Sequence, residues 1–157
     1  MDRADIALLE ALQDDSSRSI AQLAELVGVS PSACHRRIKA LEEAGIISGY
    51  AAQVDNRRIG LKLQAFVEIT LTSQSREAMS RFEAAVGHFD DILECHLMSG
   101  QTDYLLRVAA RDLDQYDRIH RDCLAALPGV ASMNSAFAIR CIKRWQGFPV
   151  RGAGTGV

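Results

Sequence analysis

The sequence predicts an α+β fold in two parts, a helix-turn-helix followed by a ferredoxin-like βαββαβ domain. Three observations lead to this prediction: apolar residues at helical spacing in the first third, a glycine-containing turn with a Ser-Pro start signal inside it, and alternating strand and helix patterns from Gln64 onward. With 157 residues, 48% of them hydrophobic, the chain can bury two small cores. Its charged start, MDRADIALLEAL, is unlike a signal peptide, and no run reaches the apolar length of a membrane span. We therefore expect a cytoplasmic protein without membrane contacts.

Two amphipathic helices are predicted at the N-terminus. The first covers Arg3–Asp14 and ends at the turn-forming DDSS sequence. Ser19 is suited to cap the second, whose apolar residues stop at Gly28, a residue that commonly adopts the left-handed conformation after a helix.

The third helix has the strongest start signal in the chain. Ser30 suits the N-cap and Pro31 the first helical position, and the pattern continues to about Ala44 before Gly45 ends it. Two helices joined by a short turn with glycine are typical of a helix-turn-helix, whose second helix enters the major groove. The inward positions of the third helix are Cys34, Ile38 and Leu41.

The outer face of this third helix carries groups that can bind DNA. Arginine and lysine can bond to guanine or phosphate, and the helix start offers free N–H groups to a phosphate. The net charge of −2 argues against general nucleic-acid affinity, yet a local basic patch is sufficient. A basic run that only solvates a three-helix bundle is the alternative. The predicted DNA contacts are Ser30, Pro31, Ser32, His35, Arg36, Arg37 and Lys39.

A hinge is predicted between the two domains. Ile46–Val54 alternates loosely and indicates a strand, and the turn residues that follow include Arg57 and Arg58, which either contact the DNA backbone or belong to a solvated linker. The predicted organisation is residues 1–54 for the helix-turn-helix, 55–62 for the linker, 63–143 for the second domain and 144–157 for a C-terminal tail with a disordered glycine-rich end.

The second domain alternates strand and helix patterns in the order βαββαβ, which predicts an antiparallel sheet covered by two helices on one face. The second helix of this domain is capped by Asp112, with an inward stripe of Leu113, Tyr116, Ile119, Cys123 and Leu127. The predicted elements are strand Gln64–Thr72, helix Ser75–Gly87, strands Ile92–Ser99 and Asp103–Ala110, a helix from Asp112, and a long strand Val130–Ile142.

The open face of this sheet is predicted to mix apolar and charged side chains, which is typical of a face covered by another subunit. We therefore expect dimerisation through the sheet. By strand alternation the face presents Phe66, Glu68, Thr70, Glu94, His96, Met98, Leu105 and Arg107.

No catalytic or metal-binding pattern stands out among the histidines and the four cysteines. We interpret the histidines as surface or interface residues and the cysteines as reduced core thiols. Gly100–Tyr104 is the one turn where free N–H groups adjoin a carboxylate. Such a turn can hold a carboxylate while Asp103 meets an ammonium group, although an ordinary hairpin is equally consistent with the pattern.

Several stretches closely resemble the Lrp/AsnC, or feast/famine, transcription regulators: MDRADIALLEALQDD, GVSPSACHRRIKALEEAGIISGY, ECHLMSGQTDYLL and LPGV. The resemblance runs from Asp2 to about Lys143. It implies a winged-type helix-turn-helix domain, double-stranded DNA as partner, association with the nucleoid, and a ferredoxin-like domain for effector binding and oligomerisation. It also implies homodimers that assemble to tetramers or octamers and an amino-acid effector, with no other cofactor. The implied effector residues are Ser99, Gly100, Asp103, Tyr104, Ser135, Ala136 and Phe137.

Two features depart from the family. Ala136-Phe137-Ala138 puts a bulky ring on the last strand, which suggests an effector other than leucine, and the tail from Trp145 has no counterpart. Two other functions are alternatives. Siroheme decarboxylases are enzymes of similar architecture that are expected to lack a basic third helix, and an architectural DNA-packing protein would need no effector.

Overall fold

The computed structural model describes residues 1–150 and divides the chain into two compact units. The first contains Met1–Gln53 with the described residues from Lys143 onward, and the second is Val54–Ile142. The α+β prediction and the element order are confirmed. No helix in the described part of the chain is both long enough and apolar enough to cross a membrane.

The first unit contains three helices, α1 (Arg3–Asp14), α2 (Ile20–Val27) and α3 (Pro31–Glu43). Local chemistry fixes their ends as predicted, because Ser19 and Ser30 accept hydrogen bonds at the N-caps and Gly28 is left-handed, with φ +72°. Residues 1–53 are called the reading head below. Its core is formed by Leu8, Leu23, Ala24, Cys34 and Ile38, with Ile47 among the half-buried residues around them.

The predicted strand over Ile46–Val54 is wrong, because this segment is irregular and no strand lies among residues 1–53. A strand requires a neighbour for its backbone groups. The N–H groups of Ile46 and Ile47 instead donate to Leu41 O, at 3.0 and 3.1 Å, and so close the end of α3.

The second unit is a four-stranded antiparallel sheet with two helices on one face. Its elements follow the predicted βαββαβ order, and the strand order β2-β3-β1-β4 places β1 and β3 in the centre. The elements are β1 (Leu63–Leu71), α4 (Arg76–Val86), β2 (Ile92–Leu97), β3 (Tyr104–Ala110), α5 (Leu113–Asp122) and β4 (Val130–Phe137).

Alternate residues of β1 are fully buried against the two helices, as the period of a strand with one covered face requires. Phe82 of α4 and Ile119 of α5 belong to the same buried cluster, so both helices share one core. The β1 residues in that cluster are Ala65, Val67, Ile69 and Leu71.

Three smaller predictions are wrong. β4 ends at Phe137 rather than Ile142, because its neighbour β1 begins at Leu63 and offers no partner beyond the bond from Ala138 N to Gln64 O (2.9 Å). Leu113 is 61% exposed, because side chains lean toward the helix N-terminus and that of the first residue leans past its end. Cys141 is exposed and is therefore not a core thiol. The glycine-rich end of the tail, which is predicted to be disordered, begins at position 151 and lies outside the described residues.

Candidate nucleic-acid interface and effector segments

The start of α3 is held in place by local capping. Ser30 Oγ accepts a hydrogen bond from Ala33 N (3.2 Å), and Pro31 occupies the first turn where its missing N–H costs nothing. Ser32 is exposed beside this cap. Because Pro31 has no N–H and that of Ala33 donates to Ser30 Oγ, the exposed Ser32 supplies the N–H and the hydroxyl that suit a phosphate at this helix start.

The basic face of α3 is exposed and mostly free of internal ion pairs. His35, Arg36 and Lys39 are exposed, and none of the three forms a salt bridge within residues 1–150. The charges of Arg36 and Lys39 are consequently available to an external partner. Cys34, Ile38 and Leu41 point inward and are buried, as predicted.

Arg37 has internal partners that the sequence analysis did not predict. Its Nη1 lies 2.8 Å from Asp5 Oδ1 and 2.8 Å from Asp2 Oδ2, so it links α3 to the capping box of α1. The Asp5 backbone N–H, and after it Arg37, hold the pKa of the Asp2 carboxyl below its ordinary value. Arg37 therefore braces α3 against α1. Its predicted DNA contact stays a prediction and would have to share this guanidinium with two carboxylates.

Asp103 is buried and has internal partners, and its predicted contact with an ammonium group stays a prediction. Its Oδ2 accepts a hydrogen bond from Leu71 N (2.7 Å), and its Oδ1 accepts one from Gln74 Nε2 (2.7 Å). Both carboxylate oxygens thus have partners, one at the end of β1 and one in the segment that follows it. The carboxylate joins the β2–β3 turn to the end of β1, a contact between residues distant in sequence.

Tyr104 is also an interior residue. Its ring packs on Phe82 with centroids 4.5 Å apart, and its hydroxyl donates to Glu83 Oε1 at 2.7 Å. Burial first, and then this bond to Glu83, raise the pKa of Tyr104 well above its usual range. Within one subunit, Asp103 and Tyr104 support the turn from inside, while Ser99 and Gly100 form its exposed surface.

The second predicted effector segment, Ser135–Phe137, lies on the edge strand β4. Ser135 Oγ accepts a hydrogen bond from the Tyr116 hydroxyl (2.6 Å), and the Phe137 ring packs edge-on against Tyr116 at 4.9 Å. Ala136 is exposed and pairs with Phe66 in the sheet register. This segment therefore presents residues to both faces of the sheet.

The two effector segments do not meet within one subunit. Tyr104 lies opposite Ile69 on β1, whereas Phe137 lies opposite Ala65, so the segments are offset by about 13 Å along the sheet. A single subunit consequently does not form one pocket from both.

The open face of the sheet has the predicted mixed character. Phe66 is 38% and Met98 40% exposed. Among the charges between them, Arg107 Nη1 donates to Glu94 Oε1 at 2.7 Å, and Glu68 Oε2 accepts from Asn134 Nδ2 at 3.2 Å. Exposed apolar groups therefore alternate with charges that are paired across neighbouring strands.

No group of three or more histidine, cysteine or acidic side chains in the described ranges is arranged to hold a metal ion. Burial raises the pKa of the Cys123 thiol to about 11, with a smaller contribution from Asp91. At neutral pH this thiol is protonated and behaves as a small apolar core residue.

Protein-family models match both parts of the chain. Residues 1–48 match a model described as winged helix-turn-helix DNA-binding, and residues 64–147 match the Lrp/AsnC ligand binding domain. The first match includes α3, and the second includes both predicted effector segments.

Curated relatives match almost end to end. The leucine-responsive regulatory protein of Salmonella typhimurium is 36% identical over 144 residues, which are 92% of this chain and 88% of that protein. The DNA-binding transcriptional activator DecR of Escherichia coli K12 is 36% identical over 150 residues, or 96% of this chain and 99% of that one.

Solved structures share the same fold. A transcriptional regulator of Neisseria meningitidis in complex with L-methionine aligns with a TM-score of 0.90 at 34% identity, covering 96% of this chain and 97% of that chain. An AsnC family regulator from Agrobacterium tumefaciens aligns with a TM-score of 0.91 at 38% identity, covering 96% and 98%.

Proposed function

The chain belongs to the Lrp/AsnC family of DNA-binding transcriptional regulators, and we propose that an amino acid controls its assembly and its sequence-specific binding to DNA. As a transcriptional regulator it is not an enzyme. Its site of action is the DNA of the nucleoid in the cytoplasm. The observation that carries the DNA-binding part is the exposed basic face of α3, where Arg36 and Lys39 have no internal ion pair in residues 1–150.

DNA recognition is assigned to the exposed face of α3. Arg36, Lys39 and His35 supply base or phosphate contacts, and Ser32 with the capped helix start binds a phosphate. Ser30 and Pro31 position that start, and Arg37 orients α3 through Asp2 and Asp5.

Arg36→Ala is expected to raise the DNA dissociation constant by roughly tenfold, because one base or phosphate contact contributes about 1–3 kcal/mol per recognition helix. Band-shift titrations with a duplex of the gene's own upstream region, between about 50 and 200 mM salt, would measure the affinity and its salt slope. The matched control is Arg81→Ala on the exposed side of α4. Unchanged binding by Arg36→Ala would contradict the assignment.

Arg37→Ala should weaken DNA binding without loss of the oligomer, and should also lower the melting temperature because α3 loses its brace.

Assembly is assigned to the open face of the sheet, which gives a homodimer that associates further into a tetramer or octamer. The mixed face around Phe66 and Met98 supports this, and so does Arg107 Nε, which is buried without a hydrogen-bond partner in residues 1–150. A covering subunit would bury the apolar groups and bring polar partners to the charged ones.

The effector site is assigned to a junction between subunits. Ser99 and Gly100 of one copy and Ser135–Phe137 of another would line it, because one subunit holds these segments about 13 Å apart along the sheet. Asp103 and Tyr104 support the turn from behind. An L-amino acid fits this assignment, and the Neisseria relative binds L-methionine.

The mechanism is linkage between assembly and DNA binding. An effector that binds one assembly state better than another shifts the population toward that state. Reading heads held together bind DNA more tightly than single heads, because the second head binds at a high effective concentration. A change of assembly therefore changes both the affinity and the spacing of the recognised sites.

A thermal-shift screen of the common L-amino acids tests the effector. One or a few are expected to raise the melting temperature by several degrees, since a ligand at 100 times its dissociation constant stabilises the folded state by about 2.7 kcal/mol. The D-enantiomer of each hit is the matched control, with the same composition and charge. If no amino acid changes either the melting temperature or the oligomeric state, the effector proposal fails and a DNA-packing role gains support.

A further inference from the structure

The C-terminal tail returns to the first unit. The chain leaves the reading head at Gln53, and its described residues from Lys143 onward cluster again with Met1–Gln53. The segment Trp145–Phe148, called the strap below, lies there against α1.

Gln13, one residue before the end of α1, contacts the strap at two points. Its Nε2 donates to Phe148 O (3.0 Å), and its Oε1 accepts from Phe148 N (2.6 Å). One side-chain amide thus satisfies both backbone groups of one residue, as a neighbouring strand would do. A tail that touched the surface at random would not present both groups in this alignment.

The strap has a backbone shaped for this contact. Gly147 has φ +102°, a conformation that favours glycine, and a Cβ at this position would collide with the Gln13 side chain. The Trp145 and Phe148 rings pack edge to face, with centroids 4.6 Å apart. Glycine and the aromatic pair together give the strap a turn that fits over Gln13.

The head offers an apolar surface to this turn. Leu9 and Leu12 of α1 and Tyr50 of the irregular segment line a groove of about 600 Å³ together with Trp145 and Phe148. The two rings remain 66% and 70% exposed. The contact is thus specific in geometry but shallow, and few interactions have to break for it to open.

We propose that Trp145–Phe148 is a releasable strap that docks non-covalently on the end of α1 and so gives the reading head a second tether to the C-terminal domain. The first tether is the chain from Gln53 into β1, and the second is the short segment that joins β4 to the strap. The proposal rests on the proposed function in one respect: the second tether begins just after Phe137, so a change at the effector segment of β4 can reach α1 along the chain to the strap and then through the hydrogen bonds of Gln13.

Release of the strap leaves each head on one tether. A head on one flexible connection samples more orientations, so the effective concentration of the second head at DNA falls. Strap variants are therefore expected to raise the DNA dissociation constant by about 3–10-fold, with the oligomer unchanged.

Trp145, the single tryptophan of the chain, reports the state of the strap. Gln13→Ala removes both hydrogen bonds, and Gly147→Ala disturbs the turn from the other side. Fluorescence anisotropy decay of full-length protein, without DNA or effector, should show faster local motion of Trp145 in both variants. Gln146→Ala is the matched control, because Gln146 is exposed and adjacent to Gly147, and it should match wild type. Equal local motion in all four proteins would overturn the strap.

The same four proteins are then titrated with the upstream duplex. Weaker binding by Gln13→Ala and Gly147→Ala, with wild-type sedimentation, supports the tether. Freed Trp145 with wild-type DNA affinity would overturn it. Because the anisotropy experiment uses neither DNA nor an amino acid, failure of the strap and failure of the proposed function are separate results.

Discussion

Replacement of Asp103 by alanine is expected to lower the free energy of unfolding of the C-terminal domain by about 3 kcal/mol. It leaves the buried backbone N–H of Leu71 without an acceptor and removes the hydrogen-bond partner of Gln74. Two hydrogen bonds to a charged acceptor are lost at a site that is 9% exposed. Chemical denaturation followed by far-UV circular dichroism would measure the change.

Two further variants make this prediction specific. Asp103→Asn keeps an acceptor for Leu71 N and should cost less than the alanine variant, provided that the Gln74 amide turns to present its oxygen. Asp90→Ala removes an exposed carboxylate in a turn of the same domain and should have little effect.

Coupling to Gln74 identifies the cause. In a double-mutant cycle, Gln74→Ala should cost clearly less in the Asp103→Ala background than in wild type, because its partner is already absent. Additive losses, or an Asp103→Ala protein as stable as Asp90→Ala, would show that the carboxylate does not anchor the turn.

The helix-turn-helix was predictable because its signals are local. Ser19, Gly28, Ser30 and Pro31 each act within one turn of the chain, and the structure has them at the caps, the left-handed turn and the first helical position. The order of strands and helices in the second domain was predictable for the same reason, since periodicity is read over a few neighbouring residues.

Elements that depend on a distant partner were not predictable. Ile46–Val54 has a strand-like pattern but no neighbouring strand in the head, and β4 stops where β1 ceases to face it. Hydrophobic alternation indicates that one face of a segment can be buried, whereas strand formation also needs a second backbone at hydrogen-bonding distance.

The site shows the same division. Exposure of Arg36 and Lys39 followed from helical periodicity, but the bonds of Arg37 to α1 and of Asp103 to Leu71 join residues about thirty positions apart. A carboxylate in a turn can bind a ligand or anchor the chain, and the local sequence is identical in the two cases. The contact of Gln13 with the strap spans nearly the whole chain and left only one trace, the glycine in Trp-Gln-Gly-Phe.

Phe66→Asp is expected to have the largest effect on function, because it places a charge in the middle of the open sheet face. Phe66 lies on the central strand β1, between Arg107 on β3 and Ala136 on β4. Burial of a carboxylate costs several kcal/mol, which the neighbouring Arg107 offsets only in part because it already donates to Glu94, and the apolar ring is lost as well. The dimer dissociation constant should therefore rise by at least about 100-fold, or roughly 2.7 kcal/mol. Sedimentation velocity over a concentration series would measure it.

Loss of assembly should also weaken DNA binding. Joined heads gain about 10²–10⁴ in apparent affinity over single heads, and this gain disappears when subunits separate. Phe66→Asp should accordingly bind the upstream duplex far more weakly than Arg36→Ala, although α3 is untouched. The difference between these two variants separates the contribution of assembly from that of one side chain.

Two control variants separate an effect on folding from an effect that depends on the position of the new charge. Aspartate disfavours a strand, so Phe66→Thr, which places a β-branched residue with high strand propensity at this position, should weaken the dimer by an intermediate amount while retaining the wild-type circular dichroism spectrum. Leu113→Asp is the matched control, since it replaces another exposed apolar residue but at the start of α5, where a carboxylate is favoured by the helix dipole. If Phe66→Asp stays assembled, or if Leu113→Asp dissociates the oligomer, the subunits meet through a different surface. If Phe66→Asp dissociates but still binds DNA as wild type does, assembly makes no contribution to affinity.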